Sequence, residues 1–262
     1  MKMLIPLAAL VVLAAAGCGG SEDAAAPVVD VRGDEYAYVM PDRIDGGVVE
    51  MSFSNTGEEL HEYALARLDD GKTAADVRAY LADPKTAESG PPEWIEDIGG
   101  VPTLSQGEQV SITRELRPGT YVMLCFVPAP DGRPHIAHGM VRTFDVGERS
   151  DAKLPEPDAV ITATDDAFEV PRLEAGRQTI ELRNGSTRPR EFYLLAPNPG
   201  KSLADVERWG EGGFKGAPVA TFLGAMQSIP PKTSVFLGVD LKAGTRYLLF
   251  DEELKEKEFR VE

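Results

Sequence analysis

The sequence predicts a mainly β protein made of two tandem Greek-key β-sandwiches, each with one short helix in a connection. Two observations carry this expectation: the chain repeats itself once, and each copy alternates apolar and polar residues in short runs bounded by turn residues. Gly71-Lys72-Thr73-Ala74-Ala75-Asp76-Val77 returns as Gly200-Lys201-Ser202-Leu203-Ala204-Asp205-Val206. The same offset maps Asn55 onto Asn184, His61 onto Arg190, Glu62 onto Glu191 and Tyr63 onto Phe192. Farther on, Leu116-Arg117-Pro118-Gly119-Thr120 returns as Leu241-Lys242-Ala243-Gly244-Thr245, a match that aligns Cys125 with Phe250. The period is far longer than that of a solenoid, so it reads as one domain copied.

The elements follow in order. Residues 48–54 alternate as a half-buried strand does, and 178–183 do the same. Residues 61–68 and 191–195 read as the next strands. Residues 73–81 carry apolar side chains at mixed three- and four-residue spacing, which is helical. Pro118-Gly119 and Ala243-Gly244 are turns leading into apolar strands at 120–126 and 247–250. Residues 141–146 form a last strand of the first copy. Short strands separated by turn signals point to a Greek-key sandwich. The expected division is a first domain at 28–147, a charged, Pro-containing linker at 148–157, and a second domain at 158–262.

The N-terminus has its own signature. Lys2 precedes an uncharged apolar run, 4–16, the length of a signal-peptide core and too short to span a bilayer. The run ends in Leu13-Ala14-Ala15-Ala16-Gly17-Cys18, which resembles the lipobox of bacterial lipoproteins. That resemblance implies a signal peptide at 1–17, acylation of Cys18 as the first mature residue, and a flexible tether at 18–27. It implies an extracytoplasmic protein anchored to the cell membrane through lipid. The net charge of −16 argues against nucleic acid as a partner and suits a basic protein.

The chain has two cysteines. Lipid on Cys18 leaves Cys125 with no intrachain partner. Three readings are open: a buried inert thiol, a reactive thiol, or a metal ligand. His61 opens a strand, Cys125 lies near the end of another, and a Pro-rich loop at 127–134 follows. Then come His135-Ile136-Ala137-His138-Gly139-Met140 and a final strand. This order of histidine, cysteine, histidine and Gly-Met resembles the type 1 (blue) copper site of the cupredoxins. The resemblance implies one copper, held by His61, Cys125 and His135 with Met140 on the axis. Two imidazoles and a thiolate form a trigonal site that suits both oxidation states, and a weak thioether completes it. The chain departs from the pattern in one respect: nine residues separate Cys125 from His135, a longer loop than small blue-copper proteins use. His138 is expected to be exposed and non-ligating, and His135 to offer the exposed edge through which electrons pass. The second copy lacks the ligands, so it is expected to be a degenerate cupredoxin-like domain.

The expected function is single-electron transfer with a redox protein partner. The alternative is a metal-free or copper-carrying binding module. An enzyme is not expected. Tandem copies resemble two-domain laccases and nitrite reductases, but three histidines cannot supply their extra copper clusters within one chain. Nor does the sequence hold a Ser-His-Asp arrangement, a Gly-rich phosphate loop or a zinc motif.

Overall fold

The computed structural model describes residues 24–83 and 90–262. Cys18, the signal peptide and most of the tether lie outside the described residues. The first half runs β1 (Val28–Asp34), β2 (Ala37–Val39), β3 (Arg43–Asn55), β4 (His61–Leu68), α1 (Ala74–Ala82), β5 (Ile95–Leu104), β6 (Gln109–Leu116), β7 (Gly119–Leu124), a 3-10 turn (His135–His138) and β8 (Val141–Arg149). The second half runs β9 (Ala159–Ala163), β10 (Phe168–Glu169), β11 (Gly176–Asn184), β12 (Arg190–Pro197), α2 (Leu203–Glu211), β13 (Ala220–Ile229), β14 (Ser234–Leu241), β15 (Arg246–Phe250) and β16 (Glu256–Arg260). The protein is mainly β, as its alternating runs require. Among the described residues, no helix is long and apolar enough to cross a membrane.

The pairing scheme repeats. β1 runs parallel to β3 as β9 does to β11. β3 pairs with β6 as β11 does with β14. β4 lies between β5 and β7 as β12 lies between β13 and β15. The two halves also share ladders, β6 with β14 and β5 with β13, so the strands follow one hydrogen-bonded path across both. One apolar core spans them, with Phe53, Tyr63 and Met123 from the first half and Ile180, Phe192 and Tyr247 from the second.

The repeated Gly-Lys-Thr/Ser motif is a helix start. The backbone N–H of Thr73 and its hydroxyl donate to Asp76 Oδ2, and Ser202 does the same to Asp205. Each box satisfies amides that the first turn of a helix leaves unpaired. Each helix then covers a small apolar cluster, Val77 over Leu68 and Leu124, and Val206 over Leu195 and Phe250.

Register corrects one alignment. Ala64 of β4 pairs with Leu124, and its repeat counterpart Tyr193 pairs with Phe250. Leu124 therefore corresponds to Phe250, and Cys125 to Asp251. The second copy carries one extra residue between the turn and the strand, Arg246, so Tyr121 answers to Tyr247. Each of these tyrosines bonds back to its turn, at Arg117 and Lys242, and each stacks on a phenylalanine of the next strand.

Candidate metal centre

His61 is the first residue of β4 and Cys125 the first residue past β7, so both lie at the same end of one ladder. The long loop returns the chain to that end. Residues 128–134 fold into a small hairpin in which the Ala129 amide donates to Arg133 O and the Gly132 amide to Ala129 O, both at 2.8 Å. The His135 amide then donates to Val127 O and the Ile136 amide to Cys125 O, both at 2.9 Å. The nine-residue spacing is thus taken up in an excursion whose two ends meet. Gly139 closes the 3-10 turn in the left-handed region, at φ 107°, where glycine alone is unstrained. Met140 follows, its amide on His135 O at 3.0 Å and its carbonyl accepting from the Cys125 amide at 3.3 Å.

The side chains converge. His61 Nδ1 and His135 Nδ1 are 3.2 Å apart, and Cys125 Sγ is 3.3 Å from His135 Nδ1. The three donor atoms lie within 4.8 Å of one another. His61, Cys125, His135 and Met140 are all 0% exposed. Ligand bonds of roughly 2.0–2.3 Å place neighbouring donors on one ion about 3–4 Å apart, so the 3.2 and 3.3 Å contacts fit a shared metal. His135 does not present the exposed edge expected of it. His138 stands outside the cluster and is half-buried, with its Nε2 3.2 Å from Asp131 Oδ1.

Surrounding groups hold the imidazoles in the form a metal needs. His135 Nε2 donates to Glu59 Oε2 at 2.9 Å, which leaves Nδ1 bare toward the cluster. His61 Nε2 is buried with no hydrogen-bond partner, and Glu35 Oε1 is 4.0 Å away. Burial, and after it His135, lowers the His61 imidazolium to about 4, so the ring is neutral at physiological pH. Burial also lowers His135. Burial, and then the Glu62 carboxylate, pushes the Cys125 thiol up to about 12. Backbone amides of Glu62 and Val127 and the Tyr38 hydroxyl act the other way on the sulfur, but less strongly. A buried thiolate flanked by two neutral imidazoles lacks a countercharge, and a cation among them would supply it.

The loop carrying His61 is fixed from within. Asn55 Nδ2 donates to Glu59 O at 2.8 Å and Leu104 O at 2.9 Å, and Asn55 Oδ1 accepts from the Gly57 amide. Asn184 repeats the pattern on Arg188 O, Ile229 O and the Ser186 amide. A Cβ on Gly57 would stand 2.6 Å from His61 Nε2, so only glycine lets the ring sit there. The Glu35-Tyr36 turn between β1 and β2, which carries no motif, completes the surround. Glu35 accepts from the Glu58 and Glu59 amides, and Tyr36 donates to Glu59 Oε1 at 3.1 Å. In the second half a buried ion pair, Arg190 with Asp251, fills the equivalent place, both side chains 0% exposed.

The chain matches no protein-family model and no curated protein. Solved structures resemble part of it. Reduced auracyanin from Roseiflexus castenholzii is 24% identical, covering 47% of this chain and 99% of its own, with a TM-score of 0.33. Auracyanin A, a "blue" copper protein from Chloroflexus aurantiacus, is 21% identical over 47% and 98%, at 0.31. A multicopper oxidase is 13% identical over 90% and 88%, at 0.25. Likenesses of this size leave function to the site itself.

Proposed function

We propose that this chain is a type 1 copper protein that transfers single electrons at the outer face of a cell membrane. The convergence of His61 Nδ1, His135 Nδ1 and Cys125 Sγ in one sealed, fully buried place carries the reading. His61, Cys125 and His135 would hold the ion, and Met140, buried at the end of the His135 turn, would supply a thioether. Copper there would supply a one-electron couple. Glu59 orients His135, Asn55 and Gly57 set the His61 ring, and the apolar surround excludes water. A site held this firmly changes little between oxidation states, which favours fast electron exchange over metal delivery.

The two halves are read as tandem cupredoxin-like sandwiches fused through shared ladders, with Arg190 and Asp251 in place of ligands in the second. The protein is an electron carrier and not an oxidase, since its three histidines cannot build further copper clusters in one chain. Acylation of Cys18 would hold it at the membrane, near redox complexes.

Cu(II) added to the purified metal-free chain tests this. The expected outcome is an intense visible cysteine-to-copper band that ascorbate bleaches and ferricyanide restores, absent in Cys125→Ser. A colourless protein that binds no Cu(II) contradicts it. Tight Cu(I) binding without the band points to a carrier.

A further inference from the structure

In this structure His135 is sealed from solvent, which raises the question of how an electron reaches it. Tyr36 lies directly over it. The two rings meet edge to face at 5.0 Å and 72°. Tyr36 is also stacked on His138, at 4.7 Å and 27°. His138 in turn keeps 23% of its side chain in solvent. Three rings thus follow one another from the cluster to the surface, one contact edge to face and one stacked.

The stack is built, not incidental. Tyr36 holds φ at 58°, a left-handed conformation that is uncommon for a bulky residue and that persists only where its surroundings fix it. Its hydroxyl bonds Glu59, the same carboxylate that orients His135. Asp131 holds His138 Nε2 and also accepts from the Arg133 amide, so the hairpin over the site positions the outer ring.

We propose that the Tyr36–His138 stack is the electron route between His135 and the surface, and that the face over His138 meets the redox partner. The proposal rests on the copper reading above. The step moves one electron: a one-electron donor is oxidised, Cu(II) becomes Cu(I), and no bond forms or breaks. Neighbouring π-systems at these separations couple better across this gap than the saturated loop beside them.

The test uses the full copper-loaded chain with hexaammineruthenium(II) as reductant, followed by stopped flow. Tyr36→Leu and His138→Ala should each slow reduction about tenfold, a barrier rise of about 1.4 kcal/mol. The visible band and the reduction potential should be unchanged in His138→Ala. In the metal-free protein, Tyr36→Leu should remove the ring-current shift on the His138 carbon-bound protons in NMR spectra. His138→Ala keeps the test open should Tyr36→Leu fail to fold. Wild-type rates in both variants overturn the proposal, as does faster reduction in Tyr36→Leu, which would make Tyr36 a shield. Slowing confined to Phe126→Ala would place the route beside Cys125 instead. If wild type shows no visible band at all, the copper reading has failed first.

Discussion

At the residue scale the site depends on side chains that touch no metal. Asn55 satisfies two carbonyls and one amide in a buried loop, and Asn184 repeats it. Removing such a group leaves its partners unpaired, which costs about 1–3 kcal/mol. Asn55→Ala should therefore lower unfolding stability by that amount in urea and weaken copper binding; unchanged stability would contradict the role. Gly57→Ala should act differently. It drives a methyl against His61 Nε2, so copper affinity falls more than stability does, as paired calorimetric and denaturation measurements would show. The grouping of His61, Cys125 and His135 was legible in the sequence because their residue types and order are themselves chemical information. Glu35, Tyr36 and Glu59 were not. Their roles come from a turn of two residues whose neighbours are fixed only by tertiary packing.

At the element scale, the loop and the helix caps carry the design. The sequence showed that the loop between Cys125 and His135 is long, but not that its ends are pinned by the Val127 and Cys125 carbonyls. The alignment of Cys125 with Phe250 failed for a simple reason. Its anchor, the Leu-x-x-Gly-Thr turn, lies before the inserted Arg246, so the shift is invisible upstream. The corrected register pairs Arg190 with Asp251 where His61, Cys125 and His135 converge in the first half. Breaking a buried pair strands a charge at about 3–5 kcal/mol. Asp251→Ala should be strongly destabilising in chemical denaturation, whereas Arg190→Met with Asp251→Asn together should recover most of the loss; equal losses would contradict this. The α2 cap is pH-dependent. Hydrogen bonds from the Ser202 hydroxyl, then from Arg208 and the Ser202 amide, hold the Asp205 carboxyl well below the usual carboxylate range. A lowered native pKa adds stability that is present above the ordinary aspartate value and is lost as pH falls through the native one. Hydrogen-exchange protection of the Val206 amide should drop with acid in that window, and Asp205→Asn should flatten the drop.

At the scale of the whole molecule, the repeat was legible because copied residues keep their order, and the mainly β class because alternation marks strands. The joining of the halves was not, since ladders between β5 and β13 and between β6 and β14 leave no local pattern. Shared ladders and one core predict one cooperative unfolding. Trp94 packs beside α1 and Trp209 lies on α2, so single-tryptophan variants report each half. Their transitions should coincide, and copper should raise both midpoints together; two separate midpoints would contradict the coupling. β1 also fixes a distance. It enters the fold at Val28 and brings Gly33 against His61, a span of about 17 Å at strand rise. The central proposal is one ion held by two imidazoles and one thiolate. Copper-edge X-ray absorption of the loaded chain, oxidised and reduced, reads that shell directly. One sulfur and two imidazole nitrogens in both states is the predicted result. A shell of nitrogen and oxygen alone in either state would contradict it.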